Sequence, residues 1–206
     1  MRLSKSPAEI NSLQRAIDIS ELALAETDAK VKAGMTERQT LNLLKSRMLA
    51  GEAEGFSFEP IVLIGGNAAN PHGSPGDIAL KPGDALLIDY GASVDGYNAD
   101  ISRTFFCDHV SDDHAAIYNT VLAASPYGAL IVHMTGHGLG LDVHEAPQIM
   151  KGNHASLIPG TVFTIEPGLY RLGDIGVRIE DDVVTDATGA RSLTSFPREL
   201  TILGAK

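Results

Sequence analysis

The chain has 206 residues, of which 44% are hydrophobic and 20% charged, and it carries a formal charge of −10. That length suits one large domain with ample core, and the acidic balance excludes a nucleic-acid-binding surface, which would be basic. No apolar run approaches the roughly 20 residues of a membrane-crossing helix, the N-terminus "MRLSKSPAEI" lacks the apolar core of a signal peptide, and a single Cys107 cannot form an internal disulfide, so a cytoplasmic setting is expected.

"SPAE" at 6–9 reads as a helix start, with Ser6 as cap, Pro7 at the first helical position and Glu9 closing a capping box. Ile10, Leu13, Ile17 and Leu24 give that helix an apolar face, and Gly34 ends the region. "TERQ" at 36–39 is a second capping box, opening a helix to about Ala50. "PIVLIGG" at 60–66 reads as a buried strand followed by the loop "NAANPHGSPGD". "DALLIDYGASV" and "YNADISRTFF" read as two strands around Asp95-Gly96, a strong signal for a two-residue hairpin loop. Cys107 fills the end of the second strand; no cationic cluster flanks it to make its thiol reactive. Ser111 and the acids after it open a helix to about Ala124. "TVFTIEPGLY" and "IGVRIEDDVVT" form a second pair of strands turning near Gly173-Asp174, and "RSLTSFPREL" is a short strand and tail. Two hairpins of similar build suggest a duplicated half, and no linker divides the chain.

The acids on these strands carry the chemistry. A two-residue loop at 95–96 sets Gly91 opposite Asp100, and alternation then puts Asp89 and Asp100 on one face as diagonal neighbours, about 7–8 Å apart at Cα. Two carboxylates so close repel unless a cation lies between them; the alternative is that one caps a turn while the other pairs with Arg103 or another cation. Glu166 and Glu180 form the second pair. A strict two-residue loop at 173–174 would put Glu180 on the wrong face, so this hairpin is expected to have an odd-numbered loop or a bulge. "HMTGHGLGLDVHE" at 133–145 adds three histidines, with glycines that break helical order. Four acids and one glycine-flanked imidazole, His137, would surround no less than two divalent cations. Hard oxygen donors with one nitrogen suit manganese first, with cobalt, iron or zinc as alternatives. A paired-metal centre holds its ions about 3.5–4 Å apart and draws the pKa of a bridging water towards neutrality, giving a hydroxide nucleophile without a serine or cysteine.

The stretches "LLIDYGASVDGYNADISRTFF", "HMTGHGLGLDVHEAP", "GTVFTIEPGLY" and "GVRIEDD" resemble the metallopeptidases of the pita-bread fold, which include methionine aminopeptidases, aminopeptidase P, prolidases and creatinases. The resemblance implies an α+β fold of two pseudo-twofold halves, an antiparallel sheet covered by helices. It implies metal ligands Asp89, Asp100, His137, Glu166 and Glu180, with Asp100 and Glu180 shared by both ions and Glu166 also acting as proton shuttle. His72, His133 and His144 match three further histidines of the proline-specific branch, where His144 hydrogen-bonds the scissile carbonyl oxygen; Arg178 in "VRIE" matches that branch too and is expected to bind substrate. His109, His114 and His154 are expected on the surface. The implied reaction is hydrolysis of the peptide bond before proline, as an Xaa-Pro dipeptidase or aminopeptidase acting on small peptides with proline second. The alternatives are a methionine or general aminopeptidase, a creatinase-like hydrolase, or a non-catalytic binding module on the same fold. A homodimer is expected by analogy with acidic relatives.

Two features depart from the family pattern. The chain starts almost at the catalytic domain, so residues 1–206 are read as one catalytic domain without the N-terminal domain of larger relatives. The connection from the helix ending near Ala124 to the "HMTGHG" strand is only "SPYGALIV", where a crossover needs about a dozen residues. A segment is therefore expected to be missing near 125–130, either a helix truly lost or residues left out of this chain, the second being favoured.

Overall fold

Both capping boxes form. In the computed structural model, which describes residues 2–71, 73–124 and 135–204, the Ser6 hydroxyl accepts from the Glu9 N–H while the Glu9 carboxylate accepts from the Ser6 N–H, and α1 (Pro7–Asp28) follows. Thr36 and Gln39 make the same exchange at 3.2 and 3.0 Å to open α2 (Glu37–Ala50). Each box satisfies N–H groups that a helix start leaves unbonded. Thr36→Ala is expected to lower unfolding free energy by about 1 kcal/mol, measured as a lower urea midpoint with an unchanged slope. α1 buries Leu13, Ile17 and Leu24, α2 buries Leu44 and Met48, and both helices share one apolar cluster with the first sheet.

That sheet has four strands in the order β14-β6-β3-β2: β2 (Ile61–Ile64), β3 (Ala85–Tyr90), β6 (Ile101–Cys107) and β14 (Thr201–Leu203). Every residue of β3 and β6 is buried, as expected of strands covered on both faces. A small sheet of β1 (Gly55–Phe56), β4 (Ala92–Val94) and β5 (Tyr97–Asn98) extends the hairpin. Asp95 and Gly96 have φ of 52° and 77°, the two positive values that a primed two-residue loop requires. The pairs Val94↔Tyr97, Tyr90↔Ile101 and Asp89↔Ser102 keep one register through the hairpin, so Gly91 and Asp100 stand opposite as the sequence predicted.

The second half is a five-stranded sheet, β13-β12-β9-β7-β8, built from β7 (Gly136–Gly138), β8 (Glu145–Ile149), β9 (Val162–Ile165), β12 (Asp181–Thr185) and β13 (Ala190–Ser192). Beside it lies the ribbon of β10 (Gly168–Arg171) and β11 (Ile175–Arg178). Arg171 pairs with Ile175 across Leu172, Gly173 and Asp174, a three-residue loop, which is the odd number the acids required. The same register continues to Ile165↔Asp181, leaving Glu166 facing Glu180. α3 (Asp112–Ala124), whose first turn is capped by the Ser111 hydroxyl, packs Tyr118 and Val121 on Ile175, Val177 and Phe106. This is an α+β arrangement of two halves with helices over largely antiparallel sheets. Among the described residues, no helix is long and apolar enough to cross a membrane.

Three local readings change. Gly65–Ala69, read as the end of the strand and the start of the loop, form a 3-10 turn. The C-terminal tail contributes β14, a parallel partner of β6, which its short apolar text did not announce. His114, expected on the surface, is half-buried, stacked on Phe106 and 3.3 Å from Asp174, because α3 lies down on the β10–β11 ribbon. Cys107 is buried at the end of β6, as read. The short connection near 125–130 lies outside the described residues.

The two halves are sewn together at one seam. Ser102 on β6 bridges to Glu180, whose N–H donates to the Ser102 carbonyl at 3.0 Å. Arg103 points the other way and is fully buried. Its guanidinium donates to the carbonyls of Ser102, Glu180, Phe196 and Pro197 and to Asp181 Oδ1. The sequence reading offered Arg103 as partner for Asp89 or Asp100; the structure gives it to Asp181, because Arg103 alternates onto the face opposite Ser102.

Candidate metal centre

Strand alternation and the seam bring the predicted donors to one place. Ligand atoms of Asp100, His137 and Glu180 all lie within 4.8 Å of one another. His137 Nε2 is 3.5 Å from Asp100 Oδ2 and 3.7 Å from Glu166 Oε1. Asp89 joins through a short chain of hydrogen bonds. Arg178 pairs with Asp89 through Nη2 and donates to Ser102 Oγ through Nε at 2.9 Å, and Ser102 donates in turn to Glu180 Oε2 at 2.8 Å. Asp89, Asp100, His137 and Glu180 are buried, and Glu166 is half-buried.

The local backbone explains why His137 reaches this pocket. A Cβ on Gly136 would sit 1.9 Å from the Thr164 carbonyl oxygen, so only glycine lets β7 run this close to β9. The Thr164 hydroxyl then accepts the His137 N–H at 3.2 Å. His137 Nδ1 faces the Gly138 carbonyl at 3.2 Å; a proton on Nδ1 leaves the Nε2 lone pair directed at the acids, the orientation a metal ligand needs. The Glu166 N–H is fixed by the Thr135 carbonyl at 2.8 Å.

So many anions in one buried place raise one another. Burial, then the charges of Glu180 and Asp89, push Asp100 well above the usual carboxylate range. Burial and the Glu166 charge do the same to Glu180. Glu166 is pushed up to about 7, chiefly by burial, with Asp89 adding to it and Arg178 opposing. Burial also draws His137 down to about 4. Asp89 Oδ1 and Glu180 Oε1 are buried with no hydrogen-bond partner among the described residues. Buried polar atoms are nearly always satisfied, and buried charges are paired or bind metals. A donor set of carboxylate oxygens with one imidazole nitrogen, two of its oxygens unclaimed among the described residues, fits divalent cations.

Arg178, predicted to meet substrate, donates to Asp89, Ser102 and the Tyr170 hydroxyl, the last at 2.9 Å. Its first task in the structure is to hold Asp89. His144 is exposed, with its ring centroid 4.1 Å from that of His137. His72 and His133 lie outside the described residues. Ser102 and Tyr170 were missed by the sequence reading. Ser102 had a signal, since it stands two residues after Asp100 and shares its face; Tyr170 had none, because only the fold brings its hydroxyl to Arg178. A second grouping, Asp113, His114 and Asp174, is already compensated by Arg171, which pairs with both aspartates.

Comparison with known proteins places this geometry. The model of metallopeptidase family M24 matches residues 11–129 and 123–187. The Xaa-Pro dipeptidase of Pyrococcus furiosus is 34% identical over 97% of this chain and 65% of its own length. The uncharacterized peptidase YqhT of Bacillus subtilis is 36% identical over 98% of this chain and 65% of its own. The crystal structure of the X-Pro aminopeptidase from Thermotoga maritima superposes with a TM-score of 0.93 at 36% identity, covering 98% of this chain and 65% of that one. The chain thus spans just under two thirds of the length of the curated relatives it matches. With the family model matching most of its length and its fold shared with solved relatives, this chain belongs to metallopeptidase family M24, in the pita-bread fold.

Proposed function

We propose that the chain carries the catalytic unit of a dinuclear-metal exopeptidase that hydrolyses the peptide bond before proline. The observation that carries this reading is the cluster of Asp100, His137 and Glu180, with Glu166 3.7 Å from His137 and Asp89 linked through Arg178 and Ser102, in which two buried carboxylate oxygens have no partner among the described residues. These five would hold two divalent ions, manganese foremost. When bound, such ions acidify a water and polarise a carbonyl. The similarity to an Xaa-Pro dipeptidase and an X-Pro aminopeptidase supports proline in the second position of a small peptide.

The chain's own residues divide the work. Glu166 is half-buried, so it can reach both the pocket and an entering peptide; it takes a proton from the attacking water and passes it to the leaving nitrogen of proline. His144, exposed beside His137, donates to the scissile carbonyl oxygen as negative charge grows there. His72 and His133, which lie outside the described residues, are assigned substrate roles only by analogy with the proline-specific branch. Arg178 keeps Asp89 aimed by pairing with its Oδ2, and any contact with substrate is made from that fixed position. We read the short connection at 125–132 as missing a segment, either a helix truly lost or residues left out of this chain, the second being favoured; an alignment with one relative that runs over 229 positions against the 206 residues here leaves room for such a gap. A cytoplasmic homodimer remains the setting we propose.

The test is hydrolysis of Xaa-Pro dipeptides and of longer Xaa-Pro peptides, with manganese and with chelator. Manganese-dependent cleavage that chelator abolishes is the expected result. Preference for the dipeptide would make it a dipeptidase, and for longer peptides an aminopeptidase. Cleavage of Met-Ala but not Met-Pro would favour a general aminopeptidase, and a chain without bound metal by elemental analysis would favour a binding module.

A further inference from the structure

The seam between the halves holds a reciprocal pattern. Ser102 stands two residues after Asp100, and its hydroxyl donates to the side chain of Glu180. Asp182 stands two residues after Glu180, and its Oδ2 accepts the backbone N–H of Asp100 at 3.1 Å. Each acid is thus held by the residue two beyond the other, on the opposite half. Asp182 is fully buried. Its own backbone is locked on both sides: its N–H donates to Thr194 Oγ1 at 2.9 Å, and its carbonyl accepts from the Leu193 N–H at 2.8 Å.

We infer that Asp182 is a positioning residue that sets Asp100 against Glu180 across the seam and thereby fixes the spacing of the metal centre; the inference rests on the metal-centre reading above. Asp100 sits between β5 and β6, where ladder pairing lapses: Ser93↔Asn98 and Tyr90↔Ile101 are paired, while Gly91 and Asp100 are not. Like Ser102, it directs its backbone groups away from the hairpin partner, as alternate residues of an antiparallel pair do, so its N–H goes across the seam to Asp182. A buried carboxylate beside that of Asp100 adds repulsion, and Asp182 Oδ1 has no partner among the described residues to offset it. What Asp182 supplies in return is an acceptor for an N–H that would otherwise be buried unpaired. Groups that orient metal ligands from behind typically account for about 10–100-fold in metal affinity.

The experiment compares Asp182→Ala, Asp182→Asn and wild type. Manganese is titrated by calorimetry, the spin-coupled signal of a manganese pair is followed by electron paramagnetic resonance, and folding is checked by circular dichroism. Asn keeps an oxygen for the Asp100 N–H, so D182N is expected to bind both ions within about threefold of wild type, whereas D182A loses about 10–100-fold for at least one ion and shows uncoupled manganese at two equivalents. Wild-type affinities and coupling in folded D182A would overturn the inference, as would a folded D182N that loses as much affinity as the 10–100-fold expected of D182A. Should D182A fail to fold, Asp182→Leu, which fills the carboxylate's space without offering an acceptor, takes its place, with the same loss of about 10–100-fold expected and wild-type affinity overturning the inference. A wild-type chain that binds no manganese would overturn the metal-centre reading as well, so the two failures are told apart by the wild-type titration, and neither depends on peptide cleavage.

Discussion

Glu166→Gln is expected to lower kcat for Xaa-Pro hydrolysis by about 10²- to 10⁴-fold, the usual contribution of a placed acid–base group. Glutamine has nearly the same shape and still offers an oxygen, but it cannot take a proton from water and return it to the leaving nitrogen. The fold should survive. The backbone at Glu166 is held by the Thr135 carbonyl, not by the carboxylate, and the side chain is 22% exposed. Removing one charge also relieves a crowded set of anions. Because Glu166 is a proposed ligand too, kcat should be read at saturating manganese, with bound metal counted in both proteins. A kcat within tenfold of wild type, with both ions bound, would remove Glu166 from the shuttle role.

The second large effect is on stability. In the metal-free chain, Glu166 is raised from its ordinary 4.5 to about 7, and Asp100, Glu180 and Asp182 are also raised, burial being the main cause in each. A group whose folded pKa lies above its unfolded value binds more protons when folded. Its stabilising contribution is complete below the unfolded pKa and is lost as pH rises through the folded one. His137, lowered from 6.5 to about 4, works the other way, losing stability as pH falls through that window. Several carboxyl groups oppose one imidazole, so the chelated protein is expected to lose thermal stability as pH rises from mildly acid to mildly alkaline. Divalent ions take the place of those protons, so manganese should raise Tm more at alkaline than at acid pH. Each ion at a free concentration of about a thousand times its Kd would add about 4 kcal/mol. Scanning calorimetry with and without chelator across that range is the check; a metal-free Tm that climbs with pH, or a manganese shift indifferent to pH, would contradict it.

Much of the site was legible because its parts are local. Asp89 and Asp100 were brought to one face by the positive-φ preference of Asp95-Gly96 and by the period of two along a strand, both properties of a few neighbouring residues. Glu166 and Glu180 were harder. Their text was compatible with two loop lengths, and only the demand that both acids face one pocket called for the odd one that Arg171↔Ile175 encloses. The partners of the arginines were not legible. Arg103 looked available to the hairpin acids but binds Asp181 and four carbonyls, and Arg178 looked like a substrate contact but holds Asp89.

By itself, then, the order of residues determined the helix starts at Ser6 and Thr36, the hairpin at Asp95-Gly96, the period-two placing of the acids, and the five residues that resemble the family's metal ligands. Tertiary structure alone decided how the halves meet: the Ser102–Glu180 bridge, the cross-seam bond from Asp100 to Asp182, the parallel docking of β14, and the closeness of His144 to His137. The reason is physical. Caps, turn dihedrals and strand alternation are settled among residues a few positions apart, whereas the partner of a buried charge depends on which distant strand is brought against it, and here Asp100 and Asp182 are joined from opposite halves of the chain.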